Sequence, residues 1–363
     1  MTGFASGVCD TCARRSWLLG RLAGHLDAAR ARIDELLELD DGPLVAAVAG
    51  HDEAAVRADL ARFDPSADAL RREQAAVEAL CRCDPGYPSP LRELPAPPAV
   101  LHVAGGRDRL AGLLAQAPVA IVGSRRPTVE GGDTASGLAR ELASAGLTVV
   151  SGMALGIDAA AHEGALRAGG ATLAVMAAGV ERPYPRAHRR LHARIREHGL
   201  IVSELPVGTE ARRWMFPARN RLIAALSAMT VVVQAGERSG ALLTAGWARR
   251  LGRPVGAVPG RIRRPLSRGP HELLRGGATL VEGAEDVLDA IYGAGRAPRR
   301  GPERPRLGEP MDTLLAALAD GEPAPAACAH AGLDSGEGLA ALAALELAGH
   351  VQRRAGGRYS VRW

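Results

Sequence analysis

Between Pro118 and about Tyr292, seven short apolar runs alternate with amphipathic stretches: VAIVG, LTVVSG, TLAVMAAG, IVSE, MTVVVQA, PVGAVPG and ATLV. Unbroken Val, Ile and Ala runs suit strands buried on both faces, and the helices between them supply the crossovers that parallel strands need. The pattern predicts an α/β core: an extended Rossmann-like, doubly wound, mostly parallel sheet. Ahead of it, from about Ser16 to Leu80, stretches such as LLGRLAGHLDAARARIDELLEL space apolar residues at the helical period and predict several short helices. CRCDPGYPSPLRELPAPPAVLHVAG, Cys81 to Gly105, is dense in proline without a helical period and predicts an extended connector. GAGRAPRRGPERPRLG, Gly293 to Gly308, combines Pro, Gly and Arg and predicts a basic linker. From Glu309 the chain reads as three helices, then a hairpin in which VQRR and RYSVRW flank Ala355-Gly356-Gly357, the order of a winged-helix-like domain. The expected organisation is an N-terminal helical region (1–80), a Rossmann-like core (81–292), the linker (293–308) and the tail domain (309–363).

Composition narrows the function. The 363 residues suit more than one domain, and no apolar run approaches the roughly 18 residues a membrane span requires. The opening MTGFASGVCDTCARRSW lacks the basic, apolar and cleavage regions of a signal peptide, so a cytoplasmic protein with no membrane partner is expected. Five cysteines in so long a chain do not suggest a disulfide framework. Lys and Arg total 45 and all are arginine, which reflects Arg-rich composition as well as selection. With a net charge of +5, polyanion binding must be argued from where arginines cluster. Aromatics at 3% argue against a sheet that reads RNA by stacking.

Ligands of an open α/β sheet sit at the carboxyl ends of its strands, so the residues after each apolar run carry the chemistry. Gly123, Ser124 and Arg125 follow the first run, and Ser151, Gly152 and Gly156 fall in the loop closing the second, SGMALGID. Glycines, helix N-termini and an arginine together suit a phosphate. Ser239, Gly240 and Thr244 open a helix after VVVQAGER and serve either an anion or simple capping. RRWMFPARNRLIAALS places Phe216, Arg219, Asn220 and Arg221 at a helix start, where a ring and guanidinium groups suit single-stranded nucleic acid. A buried ion pair of these arginines with Glu204 is the other reading. Asp158 and His162 share a helix face, more consistent with structural hydrogen bonding than with acid-base work.

A dinucleotide site is disfavoured: no G-x-G-x-x-G follows the first strand and no acidic residue ends the second. GERSG, Gly236 to Gly240, is one residue out of register with a nucleophile elbow. Cys9-x-x-Cys12 and Cys81-x-Cys83 supply four thiols that could hold a structural zinc, or stay free; no metal or cofactor is assigned to the site. In the tail, DSGEGLAALAALELAGH carries acids and no arginine, while Arg353, Arg354, Arg358 and Arg362 lie on the hairpin.

Nine ordered segments carry a family resemblance: DPGYPSPL, IVGSRRPTVEG, SGMALGIDAAAH, AAGVERPYP, VSELPVG, FPARNRLIAALS, SGALLTA, GRPVGAVPG and SRGPHELLRGGA. From about Cys81 to Tyr292 the chain resembles the DprA/Smf DNA-processing proteins, cytoplasmic factors that bind incoming single-stranded DNA during natural transformation. The resemblance implies a dimerising core that holds single-stranded DNA and helps load the RecA recombinase, with no catalytic reaction. It places the family's pocket loop at Gly123, Ser124 and Arg125 and its FPxRNR motif at Phe216, Pro217, Arg219, Asn220 and Arg221. The basic residue after the family's YP falls at Arg186. The sequence departs from the family at Cys83, where a histidine is common, and in having no lysine. The competing reading is a Rossmann-like nucleotide phosphoribohydrolase, but its P-G-G-x-G-T is absent: Arg261 and Ile262 follow Pro259-Gly260.

Overall fold

A computed structural model describes residues 8–296, 307–319, 322–348, 350–353 and 359–361. The chain forms two compact units, Met1–Pro298 and Arg299–Trp363. In the first, nine strands make one sheet: β1 Glu78–Cys81, β2 Val100–Ala104, β3 Val119–Val122, β4 Val149–Ser151, β5 Thr172–Val175, β6 Leu200–Ser203, β7 Met229–Val232, β8 Val255–Ala257 and β9 Thr279–Leu280. Their order is β1-β2-β6-β5-β4-β3-β7-β8-β9. β1 pairs antiparallel with β2 and β2 with β6, while every neighbouring pair from β6 to β9 is parallel.

The seven apolar runs are the seven parallel strands, and their lack of alternation has a direct cause. Val119 and Ile121 pack with Leu138 and Leu142 of helix Val129–Ser144, whereas Ala120 and Val122 enter the cluster of Leu222 and Ile223 from helix Met215–Ala225. β3 to β8 are buried along their whole length, so both phases of the alternation are apolar, whereas the edge strand β9 is part-buried at Thr279 and exposed at Leu280. The proline-dense segment is a correction. It is not a bare connector: its first residue, Cys81, ends β1, its last part forms β2, the two strands extend the sheet beyond β6, and Ser89–Arg92 adds a helical turn. β1 begins at Glu78, inside the region whose sequence reads as helical. The prolines all lie between the two strands rather than within them, which a composition reading cannot separate from a loop.

The N-terminal helices pack within the same unit. Leu18, Leu22, Leu26 and Leu36 share a cluster with Leu205, Trp214 and Met215 of the core. Trp214 is fully buried; its Nε1–H donates to the Ala23 carbonyl at 2.9 Å and its backbone N–H to Asp27 Oδ1 at 3.0 Å. Further along, Ser16 Oγ lies 3.1 Å from His102 Nε2 of β2.

Burial pushes the pKa of His102 down to about 3, and that of His162, whose Nδ1 lies 2.7 Å from Thr172 Oγ1, down to about 3 as well. Both rings are therefore neutral in the folded chain while the unfolded chain protonates them below about pH 6.5. Their stabilisation is complete above that pH and is lost as pH falls toward 3, at up to about 1.4 kcal/mol per pH unit each. The urea midpoint is expected to fall steadily between pH 6.5 and 5, and His162→Asn to flatten that fall. A wild-type midpoint constant over this range would overturn the expectation.

The second unit contains helices Met311–Ala319, Ala324–His330 and Ser335–Leu347, then β10 Val351–Arg353 antiparallel to β11 Tyr359–Val361. Asp334 caps the third helix in a capping box with Glu337. Helix, helix, helix, hairpin is the order the sequence predicts. Arg353 is exposed. Arg354, Arg358 and Arg362, like most of the basic linker, lie outside the described residues.

Candidate nucleic-acid interface

The chain passes from β3 outward through β4 and β5 to β6, then crosses back to β7 on the other side of β3 and continues to β8 and β9. The connections leaving β3 and β7 diverge, which opens a crevice at their carboxyl ends. A cavity of about 540 Å³ lies there. Four separate segments line it: the end of β3 with Gly123, Ser124 and Arg125; Ala154 with Asp158; Phe216, Pro217, Arg219 and Asn220 with Ile223; and Gly236 with Arg238 and the start of the helix that follows it, as far as Thr244.

The first wall is a tight turn. Ser124 N–H donates to the Gln234 carbonyl at 2.6 Å, Ile157 N–H to the Ser124 carbonyl at 3.1 Å, and Arg126 N–H to Ser124 Oγ at 3.1 Å. A Cβ at Gly123 would stand 2.7 Å from Ile157 Cγ1 and 2.8 Å from the Gln234 carbonyl, so only glycine fits. The turn leaves the Arg125 side chain exposed, with its Cζ 4.7 Å from the Phe216 ring centroid. Tyr184, 43% exposed, lies against the same ring at a centroid distance of 5.5 Å. Arg125 and Tyr184 thus both lie against Phe216, the two rings tilted 50° to each other, and the three side chains form one cation–aromatic cluster. Opposite, Ser239 caps helix Gly240–Arg250 by accepting from Ala241 N–H at 3.3 Å, so the helix opens toward the cavity. Exposed Arg238 precedes it, and Thr244 and exposed Leu243 complete the wall. Asn220 Nδ2–H donates to the Gly240 carbonyl at 3.2 Å and ties the two helix starts together.

Arg219 forms the floor. It is 4% exposed, and its Nη1 donates to the Gly152 carbonyl at 2.7 Å and to that of Val175. Desolvation lowers its pKa to about 10, partly offset by Asp158, so it stays charged at neutral pH. Burial raises the Asp158 pKa and the Arg219 charge opposes the rise; Asp158 Oδ2 accepts Gly152 N–H at 3.1 Å and Ala154 N–H at 3.2 Å.

These contacts correct part of the sequence reading. The SGMALGID loop does not offer Gly152 N–H to a ligand, because Asp158 occupies it. Ser151 is fully buried and its hydroxyl donates to the Ile121 carbonyl at 2.7 Å. Gly156, at φ +82°, is a shaping residue: a Cβ there would stand 2.4 Å from the Ser124 carbonyl oxygen. None of the three lines the cavity. Arg221 does not either: it is 3% exposed and its Nη2 donates to Glu204 Oε2 at 2.6 Å, the buried ion pair weighed as the other reading. Arg186 is exposed in the turn Arg186–His188 just after Tyr184, outside the cavity lining. His162 and Asp158 make separate structural contacts. Sequence reasoning missed Arg238, Tyr184 and Gln234. Gln234 Nε2 donates to Thr128 Oγ1 at 2.9 Å and its Oε1 accepts Thr128 N–H at 3.0 Å, locking the β7 loop to the helix after β3.

The family described as DNA recombination-mediator protein A matches residues 78–292, which holds every segment lining the cavity. The chain belongs to that family. A putative DNA processing protein DprA of Mycobacterium tuberculosis is 46% identical over 195 residues, 54% of this chain. The match spans about half of that relative's length, 49%. Among solved structures, DNA processing protein A of Streptococcus pneumoniae aligns with TM-score 0.62 and 33% identity over 77% of this chain and 96% of its own. DNA processing protein A of Helicobacter pylori, described by its single-stranded DNA binding mode, aligns with TM-score 0.52 and 32% identity over 58% of this chain and 93% of its own. The family's sheet, a mostly parallel α/β assembly, is the one found here. No described helix is long and apolar enough to cross a membrane.

Proposed function

We propose that this protein binds single-stranded DNA without transforming it chemically, protects incoming DNA, and helps load RecA recombinase in natural transformation or recombination, acting in the cytoplasm as a homodimer. The observation that carries the DNA-binding reading is Arg125 stacked on Phe216, with Tyr184 beyond it, at the mouth of the switch-point cavity. Bases stack on rings irrespective of sequence, while Arg125, Arg238 and the N-terminus of helix Gly240–Arg250 face the backbone's negative charge. The titratable groups beneath are engaged: Asp158 holds two backbone N–H groups and His162 holds Thr172, an arrangement suited to binding rather than proton transfer. The single-stranded DNA binding named for the Helicobacter pylori relative supports the same reading.

Fluorescence anisotropy of an end-labelled oligothymidylate over a salt series tests it, comparing wild type with Arg125→Ala. Removing one phosphate contact and one of the three stacked side chains is expected to weaken binding about tenfold and to reduce the salt slope by about 0.7. Duplex should compete poorly. Equal affinity and equal slope in the two proteins would reject the site.

A further inference from the structure

Four cysteines from two distant stretches of chain meet beside the sheet, away from the cavity. Cys9 precedes helix Asp10–Arg21 and Cys12 lies in its first turn; Cys81 ends β1 and Cys83 lies in the turn that follows. Their Sγ atoms all lie within 4.8 Å of one another, with Cys9–Cys83 at 3.9 Å and Cys12–Cys83 at 3.8 Å. All four are free thiols. A disulfide needs its sulfurs about 2.05 Å apart, and these are held well beyond that. Four sulfurs bound to one zinc at about 2.3 Å in a tetrahedron stand about 3.8 Å from each other, close to the Cys9–Cys83 and Cys12–Cys83 separations and within the 4.8 Å that bounds the whole set. An iron–sulfur cluster would spread its thiolates around a cage of several atoms. Soft sulfur-only donors also exclude magnesium and calcium.

We propose that Cys9, Cys12, Cys81 and Cys83 bind one structural zinc ion. The four protein ligands close the coordination shell, leaving no position for a substrate, so the metal is a clasp and not a catalyst. Its two inner thiols, Cys12 and Cys81, sit in an apolar nest with Val8, Ala13, Ala79, Ala99 and Val100 that covers the inner side of the site, while Cys9 and Cys83 face solvent. One turn further along the helix, Ser16 meets His102 of β2, so metal and hydrogen bond fasten the same helix to the same hairpin. The fastening reaches further: the following helix supplies Ala23 and Asp27, which hold Trp214 at the start of the helix carrying Phe216 and Arg219.

The full-length chain, purified without chelator and exchanged into metal-free buffer, is expected to carry about one zinc per chain by plasma mass spectrometry. Titrating its thiols with a mercurial should release that zinc, and replacing it with cobalt should give the intense visible bands of a tetrahedral tetrathiolate. Cys81→Ser/Cys83→Ser should lose the metal, whereas Cys328→Ser, in the second unit, should keep it. Because the double variant risks misfolding, the wild-type stoichiometry and cobalt spectrum decide the matter by themselves. Less than about a tenth of an equivalent of zinc with no cobalt thiolate band would overturn the site, as would stoichiometric iron in place of zinc.

Discussion

Glu204→Ala is expected to lower the free energy of unfolding by about 3–5 kcal/mol, read from urea denaturation. Arg221 is 3% exposed, and Glu204 Oε2 accepts from its Nη2 at 2.6 Å, while its Nε and Nη1 are buried with no partner among the described residues. Removing the carboxylate strands a charge that cannot reach water. Glu204→Leu/Arg221→Leu removes both charges and is expected to recover most of the loss, since replacing a whole buried pair is often nearly neutral. The pair variant should also retain oligonucleotide affinity, because Arg221 does not reach the cavity. A Glu204→Ala protein within 1 kcal/mol of wild type, or a pair variant that folds but no longer binds, would contradict this assignment.

The second large effect is expected at Trp214. Trp214→Ala empties a fully buried site and removes the indole hydrogen bond to Ala23, a loss of about 3–5 kcal/mol. Trp214→Phe keeps most of the apolar volume and leaves the Ala23 carbonyl without its donor, for about 1–2 kcal/mol. The two should differ in hydrogen exchange as well as in midpoint. In Trp214→Ala, amides of the N-terminal helices, whose Leu18, Leu22 and Leu26 pack on the indole's cluster, should exchange faster. Unaltered protection there would mean that those helices are held independently of this side chain.

Much of the core was legible because burial on both faces leaves a compositional trace. VAIV and MTVV read as strands, and the rule that ligands sit at the carboxyl ends of such strands points to loops that line the crevice, although the adjacency of the two strands does not follow from their sequence. β1 and β2 were not legible, since four or five residues on either side of a proline-dense stretch carry too little pattern to separate strand from loop. The site shows a sharper lesson at Arg219, Asn220 and Arg221. A reading of them as one polar group points them together, yet each helical residue turns about 100° from the last. That rotation puts Arg219 under the cavity and Arg221 against Glu204. Gln234 was findable by the rule applied elsewhere, as it stands just after β7, but a lone amide gives no signal until its partner Thr128 is placed. The cysteines are the reverse case. Their pairing across about 70 residues looks improbable as spacing, and only the docking of the first helix onto the β1–β2 hairpin makes it compact.

The sheet's outermost strands are short: β1 has four residues and β9 two. A foreign strand laid against either rim would gain few backbone hydrogen bonds, so both rims resist the edge-to-edge growth that leads to fibres. The proposed homodimer is therefore expected to form through side chains on helical surfaces rather than by prolonging the sheet, and substitutions that weaken self-association should be sought there.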